Sequence, residues 1–172
     1  EFHDGNYGGP GKKRIKRKKP TEEQMRLVNA KNKAMRCRHK MLEYLDQGDC
    51  FGDWTYAITN RPLDMKAALK DFQKAIRIVR DEYHKRGYEL FWFRNIERGT
   101  KGAWHIHFVV NEIGDTASIM KKAWNKGGTY TVAIKNEPKV YDEDFTKLAE
   151  YMTKDEHTRE EKKDGTPGKP RI

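Results

Sequence analysis

The chain has 172 residues with 36 Lys/Arg against 26 Asp/Glu, a net charge of +10. That length suits one compact domain with tails, and the cationic excess points to a polyanionic partner such as nucleic acid. No apolar run approaches the roughly 20 residues of a membrane span, no secretory signal is visible, and Cys37 and Cys50 lack metal-type spacing, so a cytoplasmic protein with reduced thiols and no membrane partner is expected.

The charge is uneven, because residues 1–47 supply +7 of the +10. Residues 1–20 are Gly-rich and then basic, through Lys12-Lys13-Arg14-Ile15-Lys16-Arg17-Lys18-Lys19. Like charge at that density repels itself and predicts a disordered tail, either a DNA-binding arm or merely solvated. Thr21 follows Pro20 and is followed three residues on by Gln24, a capping box that opens a helical extension over residues 21–48. Gly48 ends it, and the polar middle at 29–33 leaves one helix or two open. Residues 53–60 read as a strand. Asp64 then caps a helix whose Met65, Ala68, Leu69, Phe72, Ile76, Val79 and Tyr83 form one apolar stripe, stopped by Gly87. Residues 89–96 and 103–112 read as two strands joined as a hairpin through the 98–102 loop. A short helix over 116–125, a strand over 129–134 and a helix over 142–153 complete the body, with Phe145, Leu148, Ala149 and Met152 facing the core. Residues 157–172 read as a flexible tail.

The body, 49–156, is therefore β-α-β-β-α-β followed by one helix. That order predicts an α+β fold: a ferredoxin-like, RRM-like split antiparallel sheet with two helices on one face, an added C-terminal helix and an N-terminal helical extension.

The strongest chemical signal is Trp104-His105-Ile106-His107-Phe108. Side chains alternate across a strand, so His105 and His107 share one face while Trp104, Ile106 and Phe108 share the other. Paired imidazoles suit Mn, Zn, Fe or Ni. Glu97 sits at the end of the preceding strand, where a hairpin brings it beside His105. A carboxylate with two imidazoles makes a three-ligand site with open positions. Tyr151 and Lys154, three apart on the last helix, share a face. A phenol is a workable nucleophile if a neighbouring charge assists loss of its proton.

Together these residues resemble the HUH endonuclease superfamily, specifically its single-tyrosine rolling-circle replication initiators. The likeness spans about residues 53–155. Tyr56-Ala57-Ile58-Thr59 looks like the first motif, His105-Ile106-His107 is the histidine–hydrophobe–histidine motif, and Tyr151-Met152-Thr153-Lys154 matches Y-x-x-K. Glu97-Arg98-Gly99 stands where some members carry an acidic third ligand. The histidines precede the tyrosine, as in replication initiators and single-stranded-DNA transposases. The resemblance implies one divalent ion, Mn²⁺ or Mg²⁺, held by His105, His107 and Glu97. It implies attack by Tyr151, helped by Lys154, on single-stranded DNA at a replication origin, a hairpin by expectation. The products would be a 5′-phosphotyrosine and a free 3′-OH.

Arg98 and Lys101 in the hairpin loop are placed to hold DNA phosphates, with Thr59 and Lys147 as further candidates. Trp54, Tyr56 and Trp92 would stack on bases if they face outward, although a core place is favoured for Trp92 and Trp104. No P-loop motif is present, so a separate helicase and a host polymerase are expected, with a monomer favoured over a dimer. Three alternatives stay open: a single-stranded-DNA transposase of the same superfamily, a zinc hydrolase using water, and a non-enzymatic RNA-binding module.

Overall fold

The computed structural model describes residues 18–99 and 102–154. The order is α1 (Glu22–Tyr44), β1 (Cys50–Thr55), α2 (Met65–Lys85), β2 (Trp92–Arg98), β3 (Trp104–Val110), α3 (Thr116–Ala123), β4 (Thr129–Ala133) and α4 (Thr146–Thr153). Short 3-10 turns lie at Ile58–Asn60 and Ile134–Asn136. The strands form one sheet in the order β2-β3-β1-β4, with every neighbouring pair antiparallel. This is the α+β split order that the sequence predicts. Among the described residues no helix is long and apolar enough to cross a membrane. Cys37 and Cys50 are free thiols.

The pleat of the sheet divides the core in two. Trp54, Ile96, Trp104, Ile106 and Phe108 pack under α2 and α3 with Phe72, Ile76, Val79 and Met120. Phe51, Val109, Leu148, Met152, Met41 and Leu45 form a second cluster on the opposite face, which brings α4 and the end of α1 against the sheet. The apolar stripe of α2 accounts for the first cluster, as its spacing predicts. The second cluster depends on α4, only eight residues long, so its order comes from packing rather than from helix propensity.

Four boundaries differ from the sequence reading. First, β1 begins at Cys50 and ends at Thr55. Gly52 disguises its start, yet a Cβ there would overlap the Phe108 ring and the Tyr130 carbonyl, so only glycine lets β1 lie this close to its neighbours. The chain leaves the sheet after Thr55 because Ala57 N–H is taken by the Lys126 carbonyl at 2.9 Å, where Gly127 passes against the backbone. Second, α1 is one continuous helix; its polar middle breaks nothing because residues 22–33 are wholly exposed and need no apolar face. Third, β2 begins at Trp92, since Asn111 Oδ1 accepts from Phe91 N–H and its Nδ2 donates to the Glu89 carbonyl, replacing strand pairing there. Fourth, α4 begins at Thr146. Asp142 and Asp144 accept from the backbone N–H groups of Lys147 and Thr146 at 2.8 and 3.0 Å, and Phe145 turns the chain at φ 59°.

The aromatic residues offered for base stacking are corrected in part. Trp54 is fully buried and donates its indole N–H to the Met120 carbonyl at 3.2 Å. Tyr56 is buried, with its hydroxyl on Asp71 at 3.2 Å. Apolar packing wins both rings for the core, so neither meets a base. Trp104 is core, while Trp92 is half-buried on the edge strand.

Gly52→Ala is expected to destabilise the fold by about 3 kcal/mol, because overpacking a close-packed strand forces its neighbours apart. The midpoint of urea unfolding measures it.

Candidate active site

The faces of β1, β2 and β3 that look toward α4 carry a cluster of ionisable residues. Register sets Asp53 and Asn95 opposite His107, and Glu97 opposite His105. The two imidazoles share this face, 6.1 Å apart and nearly parallel at 14°. Their contacts run diagonally. Asp53 Oδ2 lies 3.0 Å from His105 Nδ1, Asp53 Oδ1 lies 3.6 Å from His107 Nδ1, and Glu97 Oε2 lies 3.3 Å from His107 Nε2. A carboxylate only accepts, so Nδ1 of His105 carries the hydrogen and Nε2 of the neutral ring keeps its lone pair.

The last helix delivers the phenol to this cluster. Tyr151 presents its hydroxyl 3.3 Å from His107 Nε2 and 3.5 Å from Nδ1. Its ring stands edge-on to Phe51 and His107, which fixes the direction of approach. Lys154 lies with Nζ 2.6 Å from Glu97 Oε2 and 4.2 Å from the Tyr151 ring centroid. Asn95, 1% exposed, ties down the end of α4: its Nδ2 donates to the carbonyls of Met152 at 3.3 Å and Lys154 at 2.9 Å.

Burial pushes the Tyr151 phenol up to about 12, with the Glu97 and Asp53 carboxylates adding to the push. Burial also lowers His107 below the ordinary imidazole value, against the pull of Asp53 and with the help of Lys154. Partial burial of Glu97 works to raise its carboxyl, but Lys154 and His107 together hold it below the usual range. The phenol is therefore reluctant to ionise while two carboxylates face it. Added positive charge at the cluster would lower that barrier.

Among the described residues, no three His, Cys, Asp or Glu side chains surround a common point as a metal-ligand set. His105, His107 and Glu97 lie together, bonded to one another and to Asp53. The donor chemistry nevertheless suits a divalent ion. Two imidazoles and two carboxylates share one half-buried face, and Asp53 Oδ1 is buried without a hydrogen-bond partner.

The other residues offered for DNA contact scatter. Lys147 is exposed on α4 one turn before Tyr151, near the cluster. Thr59 sits exposed in the 3-10 turn beyond β1 rather than at a strand end. Strand alternation turns Arg98 to the opposite face, where its guanidinium lies 5.7 Å over the Trp104 ring. Lys101 lies outside the described residues. Sequence reasoning missed Asp53 and Asn95. Both share the period-two face of a neighbouring strand, Asn95 two residues before Glu97, and that spacing is the signal that would have found them.

Residues 49–156 match the family model for the replication-associated protein ORF2. The chain belongs to this family, and with it to proteins of replication initiation. No match was found among curated proteins or among solved structures.

Asp53→Ala is expected to release the His105 ring into a mixture of tautomers, because its Nδ1–H loses its acceptor. Long-range ¹H–¹⁵N NMR of the imidazole distinguishes a fixed Nδ1–H ring from that mixture.

Proposed function

We propose that the protein nicks and rejoins single-stranded DNA at a replication origin by transesterification, with Tyr151 as the nucleophile. One observation carries the reading: the phenol of α4 meets the His107 imidazole, on the sheet face that also holds His105 and Glu97, within a chain of a replication-associated family. His105, His107 and Glu97 would hold one divalent ion, Mn²⁺ or Mg²⁺, whose charge on a nonbridging phosphate oxygen supplies Lewis-acid assistance when bound.

The chain's own residues do the rest. Asp53 fixes the His105 ring so that Nε2 faces outward. Asn95 and Phe51 hold Tyr151 in one orientation, which lowers the entropy cost of attack. Lys154 places positive charge beside the phenol and neutralises Glu97, opposing the rise in the phenol's proton affinity. Lys147, one turn away, is positioned for a flanking phosphate. The Tyr151 oxygen bonds to phosphorus, the bond to the 3′ oxygen breaks, and the phenolic proton ends on that oxygen. The products are a 5′-phosphotyrosine and a 3′-OH that primes synthesis. Return of the 3′-OH restores the strand without ATP. A separate helicase and a host polymerase complete the process.

The same geometry weighs against an RNA-recognition module. On β1 and β3 the face toward α4 carries Asp53, His105 and His107, while Trp54, Trp104 and Phe108 are buried beneath α2 and α3.

Incubation with Mn²⁺ and a library of single-stranded origin-derived oligonucleotides is expected to give a slow-migrating covalent band on denaturing gels. Tyr151→Phe and EDTA should each abolish it, and His107→Ala should reduce it at least about 100-fold, the scale on which metal-site groups act. Cleavage that survives Tyr151→Phe without an adduct would assign the site to a water-using hydrolase instead.

A further inference from the structure

The family match begins at residue 49 and leaves α1 unexplained. Residues 24–42 of that helix hold six cations and no carboxylate. Only the C-terminal part of α1 packs on the body, through buried Met41, with Leu45 just beyond the helix, and through Arg38, which donates to the Asp144 carbonyl at 2.8 Å. The remaining cations line space rather than core.

Between α1 and the edge strand β2 runs a groove of ≈ 560 Å³. One wall carries Lys33, Arg36 and Lys40, all exposed on α1. Among the described residues none of the three is paired with a carboxylate. The other wall and the end carry aromatic rings. Tyr44 stacks on Phe91 with centroids 4.9 Å apart, and Trp92 and Phe93 continue the row, half-buried. Thr153 of α4 closes one side. It also lines a second groove of ≈ 470 Å³ between α1 and α4, which ends at Lys154 beside Tyr151.

Unpaired cations set against rings are the chemistry of single-stranded nucleic acid, whose phosphates take the charge and whose bases stack. A duplex hides its base faces and has no use for the rings. An acidic protein partner would use the cations alone.

We infer that the groove between α1 and β2 binds single-stranded DNA, holding the part of the strand that flanks the phosphate presented to Tyr151. This rests on the reading that the protein acts on single strands, and it explains α1 as an element that enlarges the footprint beyond the catalytic face. Lys33, Arg36 and Lys40 hold phosphates, and Tyr44 and Phe91 offer a stacking surface.

The test is fluorescence anisotropy of a labelled oligothymidylate of about 20 nucleotides with the full chain in EDTA, where no phosphodiester chemistry runs. The variant Lys33→Glu/Arg36→Glu/Lys40→Glu is expected to weaken binding at least about tenfold. Its slope of log affinity against log salt should flatten by about 2, since each single-strand phosphate contact contributes about 0.7. Tyr44→Ala, at an exposed ring, should weaken binding about fivefold or more. The control Lys66→Glu/Lys70→Glu/Lys74→Glu changes the net charge equally on the exposed side of α2, and should bind within about twofold of the parent, apart from the long-range charge effect. Circular dichroism melting of each variant verifies the fold. Unchanged binding by the α1 variant, equal loss in the α2 control, or a duplex of the same length bound as tightly as the single strand would each overturn the assignment. The Tyr151 adduct is scored separately, so its absence counts against nicking chemistry and leaves the groove's result standing by itself.

Discussion

Two imidazoles and two carboxylates on a half-covered sheet face are costly to bury unless each finds a partner. That constraint organises the α4 side of the molecule. Asp53, His105, His107 and Glu97 satisfy one another in a diagonal chain across three strands, and Lys154 balances the charge from the helix above. The diagonal follows from register, because residues two apart on adjacent strands lie within reach of long side chains. A slip of one residue in β1 or β2 would turn its acid into the apolar core and break the chain. The tight seat of Gly52 against Phe108 and Tyr130 helps hold β1 to its pairing.

The two faces of the sheet divide the labour. One is conventional core under α2 and α3, with stacked Trp54 and Trp124 5.1 Å apart, and it supplies rigidity. The other carries polar chemistry, rimmed by the smaller apolar cluster that docks α4. β3 alternates between both roles at every step, which makes it the strand on which the site is built.

Much of this is legible from the sequence. The stripe of α2, the alternation around His105 and His107, the capping box at Thr21 and the order of elements each carry a local physical signature. What escapes lies where the determinant is tertiary. Gly52 looks like a turn residue, and only the neighbouring Phe108 ring shows why it must be glycine within a strand. Asp53 is an ordinary surface acid until register sets it against His107. Asn95 needs the end of α4 above it before its amide means anything. Proximity in the loop puts Arg98 beside the histidines, but the pleat sends it to the other face. Trp54 and Tyr56 stay open as stacking rings because their burial depends on helices far along the chain.

The brevity of α4 has a further consequence. Eight residues do not sustain a helix in water, and this one begins at a left-handed Phe145 rather than at a side-chain cap. Its order is borrowed from the sheet through Leu148 and Met152, and from the Asn95 amide. The segment bearing Tyr151 therefore belongs to the least cooperative part of the molecule, where sub-global opening precedes collapse of the α2–α3 core. Gentle warming or dilute denaturant would silence the hydroxyl while the far side of the sheet remains intact.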